Sequence, residues 1–176
     1  RDETFAFHGL KRGRIIGKGE INNLICEYMF TLLTQKGVPN HFIRRIDNRC
    51  SLIKRVEIIP VTIKVRHIVA GSLAQRIGYP DGTRLKNTVV EYCLKDPELE
   101  DPLVNLTHIT AMEIATAEEM HRMEEMSLRV NDILSECMRE INIELIDFKL
   151  EFGRFHGDIL LADEVSPDKC RFWDAR

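Results

Sequence analysis

The sequence predicts a mixed α and β protein, and three observations predict it. Residues 145–152 alternate between charged and apolar side chains, the period of a half-buried strand. Residues 20–36 and 116–141 repeat apolar side chains three and four apart, the period of a helix packed on one side. Residues 41–67 hold a succession of β-branched runs broken by turn residues. The length of 176 residues suits one domain or two small lobes, with ample chain for a core.

Taken in order, residues 4–7 make a short strand candidate. Lys11, Arg12, Arg14 and Lys18 follow among three glycines, Gly13, Gly17 and Gly19. That stretch is either a solvated basic loop or an anion-binding loop whose glycines let backbone N–H groups approach a phosphate or carboxylate. The helix over 20–36 is expected to bury Ile21, Leu24, Ile25, Tyr28, Met29 and Leu32, with Gly37 closing it and Pro39 preventing continuation. Among the strands of 41–67, residues 47–49 supply a turn, and Pro60 belongs at an edge, a bulge or a crossover between lobes. A nucleotide base could lie against such a crossover through backbone groups, which makes Val56, Glu57 and Ile58 candidates.

A strand then ends near Arg66, Ala70 and Gly71 turn, and Ser72 is expected to cap a short helix over 73–77. Gly71 and Ser72 at a helix start with Arg66 nearby suit a phosphate; the same residues also suit an ordinary cap beside a surface arginine. Asp81 and Gly82 form a turn, and 88–94 a strand. The acidic segment 94–105, framed by Pro97 and Pro102, is a solvated loop or the rim of a site. Thr116 and Glu119 form a capping box that opens the long helix. Its buried stripe is expected to be Met120, Met123, Val130, Ile133, Leu134, Cys137 and Ile141, with His121 at the surface.

The alternating strand that follows puts Asp147, Lys149 and Glu151 on one face, over Ile146, Phe148, Leu150 and Phe152 on the other. Gly153 and Gly157 bracket a turn, and 158–163 returns as a strand. The hairpin gathers Asp147, Lys149, Glu151 and Asp163, with Glu164, Ser166, Asp168 and Arg171 just beyond. Acids this close repel unless a cation compensates them. Oxygen-only ligands suit Mg²⁺ shared with nucleotide phosphates, and a solvated face laced with ion pairs is the other reading.

The net charge of −3 gives no electrostatic case for nucleic acid or an anionic membrane. Apolar runs are too short for a spanning helix, and no signal peptide opens the chain. Five scattered cysteines, none in C-x-x-C spacing, argue against a disulfide framework or zinc site and for a reducing cytoplasm. There is no Walker loop, no Gly-x-Ser-x-Gly and no His-Glu-x-x-His. Both ends fall in mid-pattern, so a fragment is expected.

LIDFKLEFG at 145–153, IIPVTIKVRHIVAGS at 58–72 and LADEVSPDKCRFWD at 161–174 resemble the SAICAR synthetase family. GKGEINN at 17–23 and KDPELEDPLVN at 95–105 resemble it too, in the same order. The resemblance implies an α+β fold of two lobes with antiparallel sheets and ATP between them. On it, 1–59 is the remainder of a small nucleotide-binding lobe and 60–176 a larger substrate and metal lobe. It implies an amide ligase that joins L-aspartate to the carboxylate of carboxyaminoimidazole ribonucleotide through an acyl phosphate, using ATP and Mg²⁺. The partners it implies are small molecules, with neither nucleic acid nor membrane, and it permits a homo-oligomer.

By the same resemblance, Glu151 and Asp163 hold Mg²⁺ and nucleotide phosphates, and Lys149 neutralises the transferring phosphoryl group or the nucleophile. Asp147 either orients the imidazole amino group or acts as a base. Arg66, Gly71, Ser72 and Arg171 bind the ribonucleotide, Lys18 a substrate carboxylate, and Ser166 and Asp168 shape the loop presenting Arg171. The sequence departs from the family with Thr62 in place of a usual Glu and His8 in place of Asn or Asp. The family's Gly-Lys-x-Lys loop and its helical sequence after Trp-Asp are not in these residues, so this stretch is expected to bind ATP poorly by itself. A kinase-like phosphotransferase and a non-catalytic remnant of the fold are the alternatives.

Overall fold

The computed structural model describes residues 2–6 and 11–176; Phe7 and His8 lie outside the described residues. Strands β1 (Glu3–Ala6) and β2 (Lys11–Arg14) pair antiparallel, so the basic stretch expected as loop is in part strand. Helix α1 (Lys18–Gln35) starts at Gly17, whose φ of 83° favours glycine. It buries Met29, Phe30 and Leu33, while Ile21, Leu24 and Tyr28 are exposed. The expected stripe holds in part and is shifted: Met29, with Ile25 and Leu32 beside it, packs as expected, and Phe30 and Leu33 reach the main core as well. Ile25 and Leu32 of the expected stripe pack against that core half-buried, and Ile21, Leu24 and Tyr28 stay exposed.

Strands β3 (Phe42–Arg45) and β4 (Ser51–Ile53) form a hairpin around Asp47, whose Oδ1 accepts from the Arg49 and Cys50 amides at 2.7 and 2.8 Å. Phe30 stacks on Phe42 at 5.6 Å between ring centroids, which docks the hairpin on α1. The main sheet follows. Strand β5 (Glu57–Ile68) runs through its middle, and the short helix α2 (Ser72–Ile77) and strand β6 (Arg84–Leu94) come next. Strand β7 (Leu103–Val104) edges β6 and leads into helix α3 (Leu106–Ala111) and helix α4 (Ala117–Glu140). Strands β8 (Ile143–Phe155), β9 (Asp158–Ala162) and β10 (Cys170–Asp174) complete the sheet. Its order is β10-β8-β5-β6-β7, with β9 also on β8, and the pairings are antiparallel.

Pro60 lies in central strand β5, at a register shift against β8 between Ile58 and Thr62. A proline is tolerated there because a bulge leaves its missing N–H unclaimed. The lobe boundary expected after Ile59 falls inside this strand, and one apolar core draws on residues from both sides of it.

Helix α4 lies across the core face of the sheet. Thr116 and Glu119 form the expected capping box. Met120, Met123, Val130, Ile133 and Leu134 are buried against Ile63 and Val65 of β5 and Phe148, Leu150 and Phe152 of β8. Met138 joins them; Cys137 is half-buried and Ile141, just past the helix end, is exposed. Ile146 packs apart from this core, with Ile68 and Ala70, so the expected apolar face holds from Phe148 onward. The sequence reading missed α3, whose box pairs Asn105 with His108 in the place usual for Glu or Gln. It also missed β10 as a strand. No helix among the described residues is long and apolar enough to cross a membrane.

Gly153 is where β8 passes the start of β5. A Cβ there would lie 2.5 Å from Val56 Cγ2 and 2.9 Å from the Glu57 carbonyl oxygen. Gly153→Ala is expected to lower unfolding free energy by about 1–3 kcal/mol in urea denaturation, and Val56→Ala to recover only part of the loss because the carbonyl contact remains.

Arg154 Nε and Nη2 bind Glu119 at 2.5 and 2.9 Å, tying the start of α4 to β8. Chiefly through that bond, the Glu119 carboxyl is held down to about 2 from an ordinary 4.5. A depressed carboxyl contributes stability above its unfolded pKa and loses it as pH falls towards its folded value. Arg154→Met is therefore expected to destabilise the protein at pH 7, with the difference in Tm from wild type shrinking between pH 4.5 and about 2.

Candidate active site

The antiparallel register of β5 and β8 builds a ladder of polar side chains on the sheet face opposite α4. Thr62 faces Glu151, Lys64 faces Lys149, and Arg66 faces Asp147. Rungs two residues apart share a face and lie about 6.6 Å from one another. The alternation Asp147, Lys149, Glu151 was legible in the sequence. The matching alternation Thr62, Lys64, Arg66 was also there to be found, and Lys64 was missed.

The Arg66 rung is the most tightly tied. Arg66 is 3 % exposed. Its guanidinium donates to Glu91 at 2.8 Å, Asp147 at 2.9 Å and the Ser72 hydroxyl at 3.1 Å. Ser72 is thus not a helix cap: it is the first residue of α2 and its side chain makes no cap hydrogen bond. The cap position belongs to Gly71, at φ 54° and ψ −124°, a conformation open to glycine alone. Gly71 also makes room for Arg171, since a Cβ there would meet its Nη2 at 2.6 Å. Arg171 sits on β10 opposite Asp147 and donates to it at 3.1 Å. Arg171 is therefore presented by strand pairing rather than by a loop.

These groups line a cavity of about 220 Å³ with Lys64, Lys149, Asp168 and Lys169. The lining holds five cations against two carboxylates, so it is a site for anions. Burial pushes the Asp147 carboxyl up, against the pull of Arg171 and Arg66. Burial pushes the Lys149 ammonium down, and Lys169 and Lys64 beside it push the same way.

Glu151 and Asp163 stand at the far rung. Glu151 is buried and held by Lys95, from the acidic segment, and by Lys169 at 3.5 Å. Lys169 also reaches Asp163 at 2.5 Å. Burial alone would lower the Lys169 ammonium, but its pairing with Asp163 and Glu151 outweighs that and holds it up. Asp163 Oδ2 is buried against the Lys169 ammonium. Glu151, buried, and Asp163, half-buried, are oxygen ligands of the kind that fit a hard cation keeping waters or phosphate oxygens in its remaining positions. Among the described residues no cluster of three such groups forms a protein-only metal cage. Lys95 and Lys169 had no local sequence signal; they meet Glu151 only through folding.

A second cavity of about 520 Å³ adjoins the first at Asp168, between α1, the β3–β4 hairpin and the end of β9. Lys18 lies here and pairs with Asp168, which also accepts from Asn22 Nδ2 at 2.8 Å. Ser166 is buried; its hydroxyl accepts from the Asp168 amide at 3.2 Å and fixes that loop. His41 Nε2 donates to the Asp163 carbonyl at 2.9 Å, and burial lowers the pKa of its ring. Val56, Glu57 and Ile58 lie at the other end of β5, opposite Gly153 and Arg154, and line neither of these two cavities. The ladder residues and the Lys18 group are thus neighbours, and the candidate base-binding strand is not among them.

The family model for SAICAR synthetase matches residues 1–176. The phosphoribosylaminoimidazole-succinocarboxamide synthase of Persephonella marina is 51 % identical over all of this chain, which covers 74 % of that protein. That of Zymomonas mobilis is 50 % identical over 99 % of this chain and 69 % of its own. Among solved structures, the synthase of Ehrlichia chaffeensis superposes with a TM-score of 0.96 at 40 % identity, over 99 % of this chain and 76 % of that one. A SAICAR synthetase in complex with ADP gives 0.96 at 41 % identity, over 99 % and 75 %.

Removal of Arg66 would leave Glu91 and Asp147 in a buried place without their shared guanidinium. Arg66→Met is expected to cost about 3–5 kcal/mol of unfolding free energy in urea denaturation. A loss under about 1 kcal/mol would mean that Arg171, paired with Asp147, and Arg76 of α2, paired with Glu91, suffice to hold the two carboxylates.

Proposed function

The chain belongs to the SAICAR synthetase family of ATP-dependent ligases of purine biosynthesis, and we propose that the ladder between β5 and β8 is where its acyl transfer runs. The observation that carries this reading is the order along β8: an arginine-tied end at Asp147, an ammonium at Lys149 and a carboxylate end at Glu151. The substrates we infer are ATP, L-aspartate and carboxyaminoimidazole ribonucleotide.

A carboxylate is a poor acyl donor because its leaving group would be oxide. In the reaction, a carboxylate oxygen of the ribonucleotide attacks the γ-phosphorus of ATP. The bond from that phosphorus to the β,γ-bridging oxygen breaks and ADP leaves. The aspartate amine then attacks the acyl carbon, the C–O bond to phosphate breaks, and the amine loses a proton as the amide forms. Transfer of this kind needs alignment and charge neutralisation above all.

Arg66, Ser72 and Arg171 hold the ribonucleotide phosphate, with the planar guanidiniums suited to paired oxygens. Gly71 keeps Arg171 in place, as the 2.6 Å approach to its Cβ position supports. Lys149 neutralises charge at the transferring phosphoryl group. Asp147 orients the imidazole amino group or accepts the amine proton. Glu151 and Asp163 hold Mg²⁺, which when bound supplies positive charge and alignment to the phosphate oxygens. The second cavity, with Lys18 and Asp168, suits the amino acid substrate, whose carboxylates and ammonium match its mixed charges. Val56, Glu57 and Ile58 are proposed to take the adenine through backbone groups, with the nucleotide spanning from the small lobe to the metal carboxylates.

The test is ADP release by the intact protein with ATP, Mg²⁺ and the ribonucleotide, with and without L-aspartate. Turnover is expected to depend on aspartate, and Glu151→Gln or Asp163→Asn to lower it by a factor of about 10² or more. Release indifferent to aspartate would instead make the protein a phosphotransferase. No release from a folded protein would make the ladder a retained scaffold.

A further inference from the structure

Among the described residues, the cations of the charged ladder divide into paired and unpaired. Arg66, Arg171, Lys169, Lys95 and Lys18 each contact a carboxylate. Lys64 and Lys149 are in no ion pair and no side-chain hydrogen bond among the described residues, although both line the cavity. They are also direct cross-strand partners, both half-buried. Like charges set opposite one another on a sheet destabilise it. Two half-buried ammoniums side by side, with Asp147, Glu151 and Asp101 near enough to act on them but none in ion-pair contact, make a place for a further anionic group.

Position along the ladder selects the anion. The middle rung lies one step from Arg66, Ser72 and Arg171, and one step from Glu151 and its lysines. Those ends are about 13 Å apart. A ribonucleotide laid along the ladder with its phosphate at the arginine end carries its base over the middle rung. The reactive carboxylate must sit there, since it has to face the γ-phosphate arriving from the Glu151 end. We propose that Lys64, together with Lys149, binds the carboxylate of the imidazole ribonucleotide that is phosphorylated. The inference rests on the ligase reading above and adds to it a second ammonium, outside the acidic hairpin.

The two ammoniums hold both carboxylate oxygens in place for the attack. They also draw charge towards the oxygen that remains on carbon as the other is phosphorylated. A single lysine could not fix the plane of the carboxylate; two from opposite strands can.

The experiment is isothermal titration of the intact protein, without ATP or metal, with two probes. One is carboxyaminoimidazole ribonucleotide, and the other is the same ribonucleotide lacking the carboxylate. Lys64→Met is expected to weaken the carboxylated ligand by about 10-fold or more, the effect of losing a charge-assisted contact, and to leave the other within about 3-fold. Lys64→Arg should restore most of the loss. The ligand-free Lys64→Met protein should have a higher Tm than wild type, since a like-charge pair is gone, which also shows that the variant folds. Equal weakening of both probes would assign Lys64 to the phosphate or the fold and overturn the proposal, as would no change in either. A wild-type protein that binds neither probe would overturn the ligase reading itself, and this inference with it.

Discussion

The pairing of β5 with β8 decides which charges meet, and that register changes partway along the strands. Before Pro60, Glu57 faces Arg154 and Ile58 faces Gly153; after it, Thr62 faces Glu151 and Arg66 faces Asp147. Three residues of β5, 59–61, thus stand against Phe152 alone. Two extra residues preserve which face each side chain takes, because the strand period is two. They change its partner, however. Had the earlier register continued, Lys64 would face Asp147 and Thr62 would face Lys149. Opposite charges would meet and the sheet would gain by it. The bulge at Pro60 replaces that favourable pairing with lysine against lysine, and frees Asp147 for Arg66.

Such an arrangement lasts only because the opposite face of the same strands is strongly determined. Ile63 and Val65 face Leu150 and Phe148 on the core side, where α4 closes over them. Burial of side chains of this kind is worth about 1.5–3 kcal/mol each. Cross-strand charge pairs are worth about 0.2–1 kcal/mol. The core therefore outweighs the repulsion of the middle rung, and the polar face is free to be arranged for ligands. Local conflict on a face whose other side is well packed is a mark of function more than of faulty folding.

The same division explains what the sequence disclosed. The acidic hairpin and the capping box of α4 are local: their residues lie within a few positions of each other and their periods are plain. So Asp147, Lys149 and Glu151 were found on one face, and Thr116 with Glu119 at a helix start. The face of α1 was read only in part, because apolar residues surround much of that helix. Period alone could not tell that Phe30 and Leu33 meet the core while Leu24 and Tyr28 do not. Lys64, Lys95 and Lys169 reach their places through contacts between residues 18 and 56 positions apart, or through a strand register, 85 positions apart, that no local pattern encodes. Arg66, Ser72 and Arg171 came from phosphate-binding chemistry and family resemblance. The way Asp147 ties the two arginines together was not legible.

The two ends of the ladder also differ in stiffness, and the difference suits what each end must do. Arg66 is held by three partners from β6, β8 and α2, in a buried place, by a planar group with fixed donor directions. An anion arriving there meets donors already oriented, so little order remains to be lost on binding. At the Glu151 end the cations are lysines, each a flexible stem with a single charged tip. Lysines can withdraw or follow as charge moves, whereas a bidentate arginine holds its geometry. A ligase must keep its ribonucleotide through two chemical steps while nucleotide and phosphate come and go beside it. On the proposed reading, arginines with fixed donor directions at the phosphate and flexible-stemmed lysines around the reacting groups would divide the site along that same line.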